Sequence, residues 1–184
     1  ALRHDAGLAA AKVNVFLRQL VEKSGGVATV GCIEFKPNAI NVIPSKAVFT
    51  VDLRNPDKEK LDNDEKILAV YLKDLAKEDD VKISTERLTE FDPVPFDEGI
   101  VEKVEKAAKA HGLSVRRITS GAGQDAQMIA RICPTAMIFV PSVKGISHNP
   151  EEYTKDEDVL AGAGVFLDVV MDMAVVGVPA ARNN

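Results

Sequence analysis

The sequence predicts a chain in two parts, an α+β part followed by an α/β part. Three observations carry this. The first half orders its periodic segments as helix, strand, strand, helix, strand, which is a ferredoxin-like βαββαβ layout without its first strand. A proline-rich stretch, Phe91-Asp92-Pro93-Val94-Pro95-Phe96, then reads as a linker. Beyond it, helix and strand patterns alternate. The two parts are expected at residues 1–90 and 91–184.

The first helix is expected from Leu2 to Lys23. Asp5 is its N-cap, because a short carboxylate accepts the orphan N–H groups of a first turn. Leu8, Val13, Val15, Phe16, Leu17 and Leu20 recur at helical spacing and predict its buried face. Ser24-Gly25-Gly26 ends it, glycine tolerating the left-handed cap. Val27–Phe35 is rich in β-branched residues and predicts a strand. Lys36–Ala39 reads as a turn and Ile40–Pro44 as an extended segment closed by proline. In Ala47–Arg54, Val48, Thr50, Asp52 and Arg54 alternate with Ala47, Phe49, Val51 and Leu53, so Asp52 and Arg54 share the polar face of a strand.

Asn55-Pro56-Asp57 opens a helix to about Lys77, with Ile67, Leu68, Val70, Tyr71, Leu72 and Leu75 on its buried side. The charge runs Asp57–Lys66 and Lys73–Asp80 read as solvated helix faces. Asp79-Asp80 ends the helix, and Val81–Thr89 alternates as a further strand. In the second part, Glu98–His111 predicts a helix with Ile100, Val101, Val104 and Ala108 on one face, closed by Gly112. Leu113–Ile118 is a short strand, Thr119–Gly123 a glycine turn, and Ala126–Arg131 a short helix. Ala136–Val140 is a continuous apolar strand of the kind buried on both faces. Thr154 caps a last helix, Lys155 to about Val175, with Asp156 and Glu157 favouring its dipole.

Composition limits the function. Of 184 residues, 46% are apolar and 28% charged, the balance of a packed globular protein. A net charge of −5 argues against nucleic-acid binding, which needs a basic stripe. No apolar run reaches the roughly 18 residues of a membrane helix; Asp168 and Asp172 interrupt the nearest, Gly162–Val178. Cys32 and Cys133 sit among apolar residues and read as buried free thiols, which with the lack of a targeting segment suggests the reducing cytoplasm.

Four places could carry chemistry. His148, after an apolar strand and before Asn149-Pro150-Glu151-Glu152, is either a surface-loop histidine or a metal ligand or general base. Gly121-Ala122-Gly123 ahead of Gln124 and Asp125 is either a structural turn or a set of N–H groups open to an anion. Arg54 either pairs with Asp52 or grips a ligand carboxylate through its two-pronged guanidinium. Asn41 either fixes a turn or offers its amide to a ligand.

LRHDAGLAAA, PNAINVIP, FTVDLRNP, SGAGQDAQ and MIFVPSVKGISHNPEEYT together resemble the hydantoinase/carbamoylase branch of the M20-type metallopeptidase superfamily. That branch holds N-carbamoyl-L-amino acid amidohydrolases, β-ureidopropionases and allantoate amidohydrolases. The resemblance covers nearly the whole chain. It implies a homodimeric hydrolase acting on a small carbamoyl or ureido acid, with two divalent metals (zinc, manganese, cobalt or nickel) in an α/β catalytic domain and an inserted lid that dimerises. Residues 1–90 would be most of the lid, and residues 91–184 the C-terminal part of the catalytic domain. By the same resemblance His148 is a metal ligand, Arg54 holds the substrate carboxylate with Asn41 beside it, and Gly123 and Gln124 lie near the substrate. Gln124 stands where the family pattern GAGHDA has histidine; it can hydrogen-bond but carries no charge. The resemblance also implies that the remaining metal ligands, the lid's first strand and its transition-state histidine lie upstream, so that this chain alone does not hydrolyse. A degenerate paralogue that only dimerises or binds a small acid, and an aminoacylase or peptidase of the same superfamily, are the competing expectations.

Overall fold

A computed structural model describes residues 3–176. The chain forms two units, Ala1–Pro93 and Val94–Asn184.

The first unit opens with α1, Ala6–Ser24. The Asp5 carboxylate accepts from the Leu8 N–H at 2.9 Å, and Gly25 closes the helix at φ 80°, its N–H donating to the Val21 carbonyl. The buried residues are Ala9, Ala10, Val13, Leu17, Leu20 and Val21. Leu8 and Val15, expected inside, are 50% and 59% exposed. The inward stripe follows the small residues Ala9 and Ala10, which let α1 lie close to its neighbours. Phe16 is partly buried and stacks on Tyr71, ring centroids 3.7 Å apart.

The expected Val27–Phe35 strand is two strands, β1 (Val27–Thr29) and β2 (Ile33–Lys36). The Ala47–Arg54 segment is likewise β3 (Lys46–Phe49) and β4 (Asp52–Arg54). β1 pairs antiparallel with β4 and β2 with β3, forming one hairpin in two ladders. The flanking pairs are Thr29↔Asp52 and Ile33↔Phe49, so the three residues Val30, Gly31 and Cys32 oppose the two residues Thr50 and Val51. That is a β-bulge in the first strand. Ala28 and Val30 pack against the core, and beyond the bulge Phe35 is the partly buried residue of its strand. The inward position has moved from even to odd numbers. On the other strand Ala47, Phe49 and Leu53 keep one parity throughout. Ile40–Pro44 is a turn and not an extended segment, with Ile40 fully exposed.

Helix α2 spans Lys58–Glu78, with Asp57 accepting from the N–H groups of Glu59 and Lys60. Leu75 joins Ala9, Val13 and Leu17 in the core, against which Ala28, Val30, Phe49, Leu68, Tyr71, Leu72, Val81 and Ile83 pack. Burying one such leucine is worth about 2–3 kcal/mol. Ile67 and Val70, expected inside, are exposed, whereas Asp64, expected on a solvated face, is only 1% exposed. The run Leu61, Asp64, Leu68, Leu75 follows the helical repeat, and Asp64 falls on the inward stripe. Val81–Thr89 is not a strand. Val81 and Ile83 do pack against the core, but the segment forms no ladder with any described strand.

In the second unit, α3 spans Glu98–Ala110, with Asp97 accepting from the Ile100 N–H at 3.0 Å. Ile100 and Ala108 are buried, and so are Val165 and Val169 of α5, Asp156–Val176, which packs on α3. Nε2 of His111 and the Asp168 carboxylate lie 2.8 Å apart, and Lys103 pairs with Asp172. A side chain on Gly162 would meet Cγ1 of Val140 at 2.4 Å, so α5 touches the 136–140 segment only because residue 162 has none. Lys155, whose carbonyl accepts from Val159, stands at the entry of α5 in place of Thr154. The short helix α4 is Asp125–Ile129. Residues 113–118 and 136–140 form no ladder with any described segment, so neither is a strand. Residues 136–138 are partly buried, and Phe139 and Val140 are exposed, not buried on both faces. Both cysteines are free thiols, as expected, but both are exposed and not buried: Cys32 lies in the bulge and Cys133 just beyond α4.

Candidate functional site

Arg54 is the last residue of β4, opposite Val27. Its Nε donates to Oδ1 of Asp52 at 2.7 Å and its Nη2 to Oδ2 at 2.5 Å. The strand alternation expected from the sequence holds: Asp52 and Arg54 share the exposed face, and the pair is bidentate. The hydrogen bonds to Arg54 hold the Asp52 carboxyl below the usual carboxylate range, and the same bonds raise Arg54. The backbone at Arg54 is tightly placed. A side chain on Gly26 would stand 2.7 Å from the Arg54 carbonyl oxygen. Asn55, which follows, is 6% exposed, and its side-chain oxygen accepts from the Asp57 N–H at 3.1 Å.

Asn41 lies exposed in the turn between β2 and β3. The unit does not bring it beside Arg54. The Pro44 carbonyl accepts from the Ala6 N–H at the start of α1, and Arg54 abuts Gly26 just past its end. The 19 residues of α1 lie between these points, a rise of about 28 Å. Asn41 and Arg54 therefore mark opposite ends of the hairpin.

In the second unit His148 sits at φ 55°, the left-handed region that residues with a β-carbon enter uncommonly. Its N–H donates to a Glu152 carboxylate oxygen at 2.8 Å. The Glu151 N–H donates to the Asn149 side chain at 2.9 Å, and the Glu152 N–H to the Asn149 carbonyl at 2.9 Å. Val143 N–H to Tyr153 carbonyl, 2.8 Å, closes the loop at its base. His148 is thus an exposed imidazole on a self-bonded loop. Gln124 occupies the N-cap position of α4, but its side chain makes no cap bond. Gly123 precedes it with open space where a side chain would be. Gly123, Gln124 and His148 all belong to this unit, Asn41 and Arg54 to the other.

A divalent metal needs three or four converging ligands. Among the described residues no three His, Cys, Asp or Glu side chains gather to hold one. His148 can supply one nitrogen, and one nitrogen is not a site. No described helix is long and apolar enough to cross a membrane.

Sequence reasoning missed Glu152 as the group that fixes His148. Its signal was the spacing of a carboxylate four residues after a histidine across Asn-Pro, a turn pattern. It also took the Asp52–Arg54 pair and a binding role for Arg54 as exclusive, which the bidentate geometry does not require.

Residues 5–172 match the model of peptidase family M20/M25/M40. The chain belongs to that family. Within it, the chain is 39% identical over 175 residues to an N-carbamoyl-L-amino-acid amidohydrolase of Rhizobium meliloti, spanning 94% of this chain and 42% of the relative. It is 38% identical over 148 residues to an allantoate amidohydrolase of Escherichia coli, covering 80% of this chain and 36% of that protein. A solved amidase of the hydantoinase/carbamoylase family from Burkholderia vietnamiensis superposes with a TM-score of 0.89 at 37% identity, over 94% of this chain and 42% of that one. The chain therefore spans less than half the length of these relatives.

Proposed function

We propose that the complete gene product is a metal-dependent amidohydrolase that cleaves the carbamoyl or ureido C–N bond of an N-carbamoyl amino acid or of allantoate. The observation that carries this is the 39% identity to an N-carbamoyl-L-amino-acid amidohydrolase along nearly the whole chain. In this reading the first unit is the lid and dimerisation domain, with Arg54 gripping the substrate carboxylate. The second unit is the C-terminal part of the catalytic domain, with His148 as one ligand of a two-metal site (zinc, manganese, cobalt or nickel) whose other ligands are not among the described residues. Bound metal would polarise the scissile carbonyl and supply hydroxide. This chain's own part is to hold the substrate's anionic end and to line the pocket through Gly123 and Gln124. Asn41 and Arg54 stand at opposite ends of one unit, so a small acid meets both only if a homodimer supplies them from two copies.

The test is an ammonia-release assay of the complete gene product with N-carbamoyl amino acids and allantoate, with Mn²⁺ or Zn²⁺ added. Metal-dependent release on either substrate supports the proposal. No release on any of them removes it.

One observation favours a second reading, a paralogue that binds a small acid without hydrolysing it. Gln124 replaces the histidine of the family pattern and its side chain is not used as a cap. If Gln124→His and the natural protein are both inactive, that reading prevails. Cleavage of dipeptides instead of carbamoyl acids would point to the aminoacylase or peptidase branch.

A further inference from the structure

We infer that residues 84–91 form an ionic strap on the first two turns of α2, fastened by Arg87 and Glu90 to Glu65 and Lys58 and loosened as ionic strength rises. The strap leads into the proline-rich stretch where the first unit ends, and Lys58 is its buckle.

Every residue from 84 to 92 is exposed, Leu88 and Phe91 included at 75% and 51%. Among the described residues, no backbone–backbone hydrogen bond joins residues 84–91 to another segment. What holds them is charge. Nη2 of Arg87 donates to a Glu65 carboxylate oxygen at 2.5 Å, and Nη1 donates to Glu90. Nζ of Lys58 lies 3.3 Å from the Glu90 carboxylate, 2.8 Å from Asp92 and 3.0 Å from Asp62. Glu90 therefore links the two cations. The spacing fits as well. Lys58 and Glu65 stand about two turns apart on α2, a rise of about 10.5 Å. The three residues from Arg87 to Glu90 reach up to about 10 Å. The strap thus runs antiparallel to the helix, with Arg87 at Glu65 and Glu90 at Lys58.

Exposed ion pairs are weak one by one and are screened by salt. A segment held only by such pairs lies near the balance between fastened and loose, which makes it responsive. The core contacts of this stretch are Val81 and Ile83, so the residues beyond them can lift while the core stays packed. Hydrogen bonds to Asp92, Asp62 and Glu90 raise the Lys58 ammonium above its ordinary range. Arg87, then Lys58, hold the Glu90 carboxyl below its own. Both groups are therefore ionised at neutral pH, and salt is the lever. The same ammonium pairs with Asp92, just before Pro93, so Lys58 grips both the strap and the start of the chain that leads to the second unit.

The experiment is tryptic cleavage after Arg87 in the complete gene product, followed by mass spectrometry. It is run in about 0.02 M and about 0.5 M NaCl, where charges act over roughly 20 Å and roughly 4 Å. Trypsin must take up the Arg87 guanidinium, so the loosened strap is the form that is cut. At low salt Lys58→Ala is expected to be cut about three- to tenfold faster than the natural form, and Glu65→Gln about two- to fivefold faster. Lys58→Arg, which keeps the cation, is expected to stay within about twofold of the natural form. At high salt the ratio of Lys58→Ala to natural is expected to fall below about twofold, a comparison in which any effect of salt on the protease cancels. Cleavage after Lys12 and Lys23 of α1 is expected to be the same in every form. Equal cleavage after Arg87 in Lys58→Ala and the natural form at low salt overturns the inference, and so does a ratio that salt leaves unaltered. A parallel rise at Lys12 and Lys23 overturns it too, because the whole unit would then be opening instead of the strap. Cleavage needs no turnover, so the result is independent of the hydrolase reading.

Discussion

The backbone N–H of His148 donates to the Glu152 carboxylate at 2.8 Å, across a turn in which His148 holds a φ of 55°. The left-handed conformation costs a residue with a β-carbon roughly 1–2 kcal/mol, so the turn depends on its internal bonds. Glu152→Ala is expected to raise amide hydrogen exchange at His148 by about five- to tenfold, by removing a charge-assisted acceptor. Glu152→Gln, which keeps an acceptor oxygen, should raise it less. Equal exchange in all three forms would sink this account of the loop.

Gly26→Ala should destabilise the first unit. The new β-carbon would meet the Arg54 carbonyl oxygen at 2.7 Å, with the Asn55 side-chain nitrogen at 3.1 Å. Neither is the free end of a flexible chain, so the backbone must yield, at a cost of about 1–3 kcal/mol. A urea midpoint measured by circular dichroism checks this; a midpoint equal to the natural protein's refutes it.

Asp64→Leu is expected to stabilise. Asp64 is 1% exposed and its Oδ2 has no hydrogen-bond partner. Leucine is larger than aspartate but matches Leu61 and Leu68 on the same stripe of α2. Replacing a buried, incompletely paired polar group with a fitting apolar one gains about 1–3 kcal/mol. The readout is the same denaturant midpoint, and a fall in it would show that the carboxylate is needed.

Acid should loosen the start of α1. The Asp5 carboxyl lies below its ordinary 3.8, first because the Leu8 N–H bonds its ionised form and then because Arg3 does. A depressed folded value means that the stabilisation is fully present above the unfolded value. It is lost as pH falls through the lower folded value. Denaturant midpoints taken between pH 5 and pH 2 should fall more steeply for the natural protein than for Asp5→Asn. Parallel curves would show that the cap contributes nothing.

What the sequence made legible was local. Asp5, Gly25 and Gly112 act as helix boundaries because a cap is settled within one turn of chain. The Asp52–Arg54 alternation was readable because β3 and β4 keep one parity. The segments at 81–89, 113–118 and 136–140 were misread for the opposite reason. Their residues favour extended backbone, but a strand exists only with a neighbour to bond, and no local pattern reports one. The site divides in the same way. His148, Gln124 and Arg54 were found through motif segments, whereas the distance between Asn41 and Arg54 depends on how α1 lies along the hairpin.

The bulge at Val30–Cys32 makes the two strands unequal under insertion and deletion. Removing one residue there would leave equal lengths between the flanking pairs and a straighter ribbon. Removing Thr50 or Val51 would rotate everything after it by half a repeat, sending Asp52 and Arg54 toward the helices and Leu53 into water. The outward aim of the arginine is therefore written in the spacing between Phe49 and Leu53, and the chain can change length on one side of the hairpin but not on the other.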